Sequence, residues 1–208
     1  MFERKVPAVI LSGGQSRRMN RNDKAFSSIL DKTLLEIVVN RLQRQTEQVA
    51  INTNSNSPQY VKHGLPILND QIGGFLGPLA GIFTAMKWAN DMGYKMVATV
   101  AVDTPFFPKN LLEELYQKMK KSNCDIVFAA SVSDQKQKKI LHPVFGLWKT
   151  YLFEDLRDEL KKGVRKVTLW SERHKASNVC FFDETIDPFF NVNTPDDIAL
   201  LKEYLTEK

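Results

Sequence analysis

The chain has 208 residues, a net charge of +5 and a sequence pI near 9.1, with charged and apolar fractions of an ordinary globule. That length suits one domain burying roughly 70% of its unfolded surface. No apolar run reaches the ~18 residues of a membrane span, and the opening MFERKVPAV is too short in its apolar part for a signal peptide, so a cytoplasmic protein is expected. No RNP, helix-turn-helix or zinc-finger pattern accompanies the basic surplus. It reads as attraction for a small, highly anionic substrate and not for nucleic acid.

Ala8 to Leu11 is a short apolar run that suits a buried strand. It breaks at Ser12-Gly13-Gly14, where missing Cβ atoms let backbone N–H groups approach an anion. Arg17, Arg18, Arg21 and Lys24 follow and supply charge suited to a polyphosphate. Neither a P-loop nor a dinucleotide fingerprint fits these residues. Thr33 to Gln45 reads as a helix opened by a capping box of Thr33 with Glu36. Strands are expected over Gln48 to Asn54 and Leu65 to Asp70, then a glycine-rich loop and a helix from Pro78 to Gly93.

Lys95 to Pro105 is the most apolar segment, expected as a central parallel strand covered on both faces. A helix over Pro108 to Lys121 and a strand over Asp125 to Ser131 follow. Ser131 to Ile140 reads as a polar loop and His142 to Trp148 as a strand. A helix over Thr150 to Gly163 takes Thr150 as its cap, and a short helix follows over Val167 to His174. The last elements are a strand over Ser177 to Asp183 and a helix capped by Thr194, with Pro195 first. Cys124 and Cys180 lack metal-ligand spacing and read as two buried free thiols, with a disulfide as the alternative.

Strand-helix alternation predicts an α/β fold, a Rossmann-like three-layer α/β/α with a mostly parallel sheet and right-handed crossovers. Ligands of such sheets bind beyond the strands' carboxyl ends. Four polar signals fall there: Ser12-Gly13-Gly14, Asn52-Thr53-Asn54, Asn69-Asp70 and Asp103-Thr104. Asp103 taken alone reads equally as a metal ligand or a turn cap. Opposite a phosphate loop, Mg²⁺ held by one or two carboxylates and by substrate phosphates is the better reading.

The ordered set LSGGQSRRM with Asp23-Lys24, GPLAG at Gly77 to Gly81, DTP at Asp103 to Pro105, HP at His142-Pro143 and FNVNTP at Phe190 to Pro195 resembles the molybdenum cofactor guanylyltransferases over nearly the whole chain. The resemblance implies the nucleotide-diphospho-sugar transferase type of fold. It implies one nucleotidyltransferase domain, with a GTP-binding half over about 1–130 and a pterin-binding half over about 131–208. Leu11, Ser12, Gly13, Gly14, Lys24, Asn52, Asp70 and Asp103 would then bind GTP, with Asp103 also on Mg²⁺. Lys24, Asp103 and Arg18 would serve catalysis, Arg17 or Arg18 steadying the leaving pyrophosphate. His142, Arg165, Asn191 and Asn193 would hold the pterin, beside Lys166, where the family commonly has arginine. A lone histidine before proline is otherwise usually a satisfied core or turn residue.

The activity so implied is GMP transfer from GTP to the phosphate of molybdopterin, with transient contacts to molybdenum-insertion or molybdoenzyme chaperone proteins as an expectation. A cytidylyltransferase or a sugar-phosphate nucleotidyltransferase is the alternative within enzymes, and a non-catalytic nucleotide-binding regulator the alternative outside them.

Overall fold

The computed structural model describes residues 5–13, 23–73, 77–133, 138–182 and 187–206. Its strands are β1 (Ala8–Leu11), β2 (Ser28–Ile29), β3 (Lys32–Thr33), β4 (Val49–Asn52), β5 (Ile67–Leu68), β6 (Met96–Ala101), β7 (Ile126–Ser133), β8 (Lys138–Lys149) and β9 (Ala176–Phe181). Its helices are α1 (Leu34–Gln43), α2 (Pro78–Asp91), α3 (Leu111–Ser122), α4 (Phe153–Lys161), α5 (Val167–Ser171) and α6 (Pro195–Thr206).

Among the described residues, seven strands form one sheet in the order β5-β4-β1-β6-β8-β7-β9. The pairs β5·β4, β4·β1, β1·β6 and β7·β9 are parallel, and β8 runs antiparallel to both β6 and β7. The mostly parallel α/β sheet expected from the sequence is therefore present, with one strand reversed. This corrects the expectation for β6, which is central and parallel on its β1 side but antiparallel on its β8 side. The polar stretch expected as a loop over Ser131 to Ile140 is largely strand: β7 continues to Ser133 and β8 starts at Lys138. Cross-strand pairs such as Ala130↔Leu141 and Val132↔Lys139 hold these polar ends in the ladder, which the apolar pattern does not register. The strand expected over Leu65 to Asp70 shrinks to Ile67–Leu68 at the sheet edge.

Local signals account for most element boundaries. The capping box of Thr33 and Glu36 is made in both directions, by Glu36 N–H to Thr33 Oγ1 at 3.2 Å and Thr33 N–H to Glu36 Oε2 at 2.7 Å. Gly163 ends α4 at φ +93°, a value that favours glycine. Thr150 is not a helix cap: its hydroxyl donates to Tyr94 O at 2.8 Å, and a 3₁₀ turn over Thr150–Leu152 precedes α4. Both cysteines are free, Cys124 buried but Cys180 only half-buried, because β9 is an edge strand.

The sheet carries a core on each face. Leu35, Val38 and Leu42 of α1 and Leu111, Leu112 and Leu115 of α3 pack on one face with Ile10, Val100 and Val127. Leu79, Ile82 and Met86 of α2, Leu156 of α4 and Trp170 of α5 cover the other with Val9, Val97 and Phe128. Each such side chain contributes on the order of 1.5–3 kcal/mol on burial. A third, smaller cluster of Ile29, Leu34, Val192 and Leu201 seats α6 beside the β2–β3 hairpin. It brings the segment before α6 to the turn that carries Lys24.

Candidate active site

The ends of β1, β4 and β6 are flush, because Leu11 is in register with both Asn52 and Ala101. The ladder runs one step further: Ser12 N–H donates to Asn52 O at 2.8 Å and Val102 N–H to Leu11 O at 3.1 Å. Leu11, Ser12, Asn52 and Asp103 thus stand on one rim, as the topology requires. Gly81, in the first turn of α2, explains how close that helix comes. A Cβ there would lie 2.6 Å from Asn52 Oδ1 and 3.0 Å from Leu11 Cδ2.

Lys24 opens a 3₁₀ turn over Lys24–Phe26 that Asp23 caps, Ala25 N–H donating to Asp23 Oδ1 at 3.2 Å. Its ammonium donates to Asp103 Oδ2 at 3.0 Å, to Asn193 Oδ1 at 2.8 Å and to Asn191 Oδ1 at 3.4 Å. One carboxylate and two amide oxygens therefore converge on one cation, with side chains only 15% exposed for Lys24 and 27% for Asp103. Val192 N–H donates to Asp103 O at 2.8 Å and locks the two segments together. Asp197 steadies the asparagine loop from beyond, its carboxylate accepting from Asn193 N–H at 2.7 Å and Thr194 N–H at 2.8 Å. Those backbone donors, Asn193 foremost, hold the Asp197 carboxyl below its ordinary range.

Beside this cradle, both carboxylate oxygens of Asp70 are held. Asn52 Nδ2 donates to Oδ1 at 2.9 Å and Asn54 Nδ2 to Oδ2 at 2.8 Å, while Asp70 N–H returns to Asn54 Oδ1 at 2.8 Å. Asn54, part of the polar signal after β4, is thus a partner of Asp70, although the GTP-binding set expected from the sequence took only Asn52 from that signal.

His142 lies on β8, its Nε2 2.8 Å from Ser131 Oγ, which also donates to Asp187 Oδ2 at 3.4 Å. The imidazole stacks on Phe189 at 4.2 Å and 19°. Burial lowers its pKa, with Asp187 opposing, so the ring is neutral at neutral pH. The four residues expected around a pterin have different partners. Asn191 and Asn193 sit on Lys24, at the far end of the loop that carries Asp187 and Phe189. The Arg165 guanidinium donates to Leu160 O at 2.9 Å and Val164 O at 2.8 Å, closing the end of α4. Gly14, Arg17 and Arg18 lie outside the described residues.

Comparison with known proteins identifies the family. Residues 8–176 match the model of the MobA-like NTP transferase domain. A molybdenum cofactor guanylyltransferase of a Bradyrhizobium species is 37% identical over 93% of this chain and 90% of its own length. One from Haemophilus influenzae is 37% identical over 93% of this chain and 95% of its own. The crystal structure of molybdopterin-guanine dinucleotide biosynthesis protein A from Archaeoglobus fulgidus superposes with a TM-score of 0.75 at 23% identity, covering 98% of this chain and 100% of that one. A 4-diphosphocytidyl-2C-methyl-D-erythritol synthase from Anaerococcus prevotii shares the fold at a TM-score of 0.75 and 14% identity, covering 97% and 96%. The rim of strand ends, the lysine-centred cradle and the match along nearly its whole length make this chain a member of the molybdenum cofactor guanylyltransferases, within the MobA-like NTP transferase family.

Proposed function

We propose that the protein transfers GMP from GTP to the terminal phosphate of molybdopterin. A phosphate oxygen of the pterin attacks the α-phosphorus in line; that P–O bond forms as the bond from the α-phosphorus to the α,β-bridging oxygen breaks, and pyrophosphate leaves. The attacking oxygen is already anionic, so no general base is needed. Positioning and charge stabilisation carry such transfers.

The observation that carries this reading is the convergence of Lys24, Asp103, Asn191 and Asn193 at the strand ends. Lys24 is suited to grip the triphosphate. Its present partners are hard oxygens, one of them the anionic Asp103 carboxylate, of the kind that a phosphate also offers. The same donor set suits Mg²⁺, which takes oxygen ligands and is commonly held by one or two carboxylates with substrate phosphates. Among the described residues no group of three or more acidic, histidine or cysteine ligands forms a self-sufficient metal site. Asp103, with the Asn193 amide oxygen, would therefore hold the ion together with nucleotide, and the ion would neutralise charge on the phosphates. Asp70, fixed by Asn52 and Asn54, is the reader proposed for guanine, whose ring N–H and exocyclic amine offer a carboxylate two adjacent donors.

No helix among the described residues is long and apolar enough to cross a membrane. The proposed setting is the cytoplasm, with chaperones of molybdoenzymes as transient partners. The deciding experiment supplies purified protein with molybdopterin, Mg²⁺ and each NTP in turn and measures pyrophosphate. GTP-selective release that disappears with chelator is expected. Release with CTP alone would make the protein a cytidylyltransferase, and binding of GTP without release a regulator.

A further inference from the structure

The proposed chemistry makes no use of Tyr60, although its hydroxyl meets Ser12 just beyond the end of β1. Tyr60 lies between β4 and β5 and is 1% exposed. Its ring packs edge-on against Phe26, centroids 4.8 Å apart at 61°. A phenylalanine would satisfy that packing, so the hydroxyl has another purpose.

The oxygen is 2.7 Å from Ser12 Oγ and 2.7 Å from Asp23 Oδ2. A phenol has one proton, and an ionised carboxylate only accepts. Tyr60 therefore donates to Asp23, and Ser12 must donate to Tyr60. Burial pushes the phenol above its ordinary range and keeps that proton in place. The backbone N–H of Ser12 is spent on Asn52 O at 2.8 Å. Both donors of Ser12 are thus engaged, which makes it an anchor of the loop and leaves phosphate contacts to residues beyond it.

Asp23 is anchored just as fully. Its Oδ2 is on Tyr60 and its Oδ1 caps the turn at Ala25 N–H, while Phe26 N–H donates to Asp23 O at 3.0 Å. Lys24 is the next residue. A single phenol thus joins the point where the chain leaves β1 to the point where it returns with Lys24.

We propose that Tyr60 is a positioning residue for the nucleotide side of the reaction, its hydroxyl fixing Ser12 and, through Asp23, the placement of the Lys24 ammonium. The proposal rests on the reading that Lys24 faces the triphosphate of GTP. A purely structural tyrosine would cost stability and affect both substrates alike. A positioning tyrosine affects GTP selectively.

The test uses the full chain carrying Tyr60→Phe, which keeps the ring. The kcat/KM for GTP should fall on the order of ten- to a hundredfold, the scale expected when a catalytic group is misplaced by about 1 Å. The KM for molybdopterin should stay within about twofold, and Asp23→Ala should reproduce the loss. Added to Asp23→Ala, Tyr60→Phe should cost less than about a further twofold, because the route to Lys24 is already cut. Acylation of Lys24 by an amine-selective reagent, read by mass spectrometry without substrate, should speed up severalfold in Tyr60→Phe. Wild-type kcat/KM for GTP with unchanged Lys24 acylation would overturn the proposal. So would equal losses on both substrates in step with a lowered Tm, or fully multiplicative effects of the two substitutions. Failure of the unmodified protein to turn over GTP would refute the guanylyl-transfer reading instead, and the acylation rates would still decide the role of Tyr60.

Discussion

Asp103 has two roles that a substitution can separate. Its backbone oxygen accepts from Val192 N–H and belongs to the fold, while its carboxylate meets Lys24 and belongs to the proposed site. Asp103→Asn keeps the first and removes the charge of the second. Turnover should fall by roughly two to three orders of magnitude, as when a preorganised charge partner is lost, with the unfolding midpoint little changed. Near-normal pyrophosphate release from a folded variant would place the metal and the transition-state charge elsewhere. Asp70 allows a different test, because each of its oxygens already accepts from an asparagine amine. Asp70→Asn sets a third amide NH2 against Asn52 or Asn54 and, under the proposed reading, would give guanine's donors a poorer partner. GTP should lose roughly 1–3 kcal/mol of preference over CTP and ATP, as bidentate base contacts do, while metal affinity holds. Undiminished selectivity in competition assays would leave guanine to be read by backbone groups of the rim.

Two elements show how local sequence and long-range packing divide the work. Helix α2 approaches the rim only because residue 81 has no side chain. Asn52 cannot simply turn away from a new methyl, since its amide donates to Leu68 O at 3.0 Å and to Asp70. Gly81→Ala should therefore destabilise the protein by about 1–3 kcal/mol, the usual cost of overpacking, and raise the KM for GTP. Urea unfolding and steady-state kinetics measure the two effects. At the start of α6, Asp197 has a folded pKa below its ordinary 3.8. Its contribution to stability is fully present above that value and is lost as pH falls through the lower, folded one. The stability gap between wild type and Asp197→Asn should close as a pH series runs from 7 to 3; a gap that widened would reverse the sign. Contiguous apolar runs such as β1 and β6, and the capped helix α1, were legible in the sequence because burial and capping are local. The reversed direction of β8 was not, since nothing in HPVFGLW encodes which way a strand points. Nor was Tyr60 legible, for its partners lie 48 and 37 positions away. Asn191 and Asn193 were recognised as site residues, but only the packing of α6 on Ile29 and Leu34 reveals Lys24 as their neighbour.

The molecule as a whole completes its cation cradle from opposite ends of the chain. Lys24 and Asn193 are 169 positions apart, yet their side chains meet at 2.8 Å. Contacts of such span form late in folding, because loop closure precedes any gain from them. In refolding from urea, far-UV circular dichroism should recover before binding of a fluorescent GTP analogue; simultaneous recovery would contradict this order. The same span has a consequence on the ribosome. At roughly 5–20 residues per second, Lys24 emerges some 10–30 s before its asparagine partners are made. From about the middle of that interval, once β6 and Asp103 have been made 79 positions after Lys24, β1, β4, β5 and β6 are available to pair, but of its partners the lysine has only Asp103 to meet. A nascent or prematurely ended chain therefore presents a nucleotide rim without its final acceptors. The cradle closes only when synthesis has passed Asn193, and a fragment that stops short of Asn191 lacks two of the three side-chain oxygens that converge on Lys24.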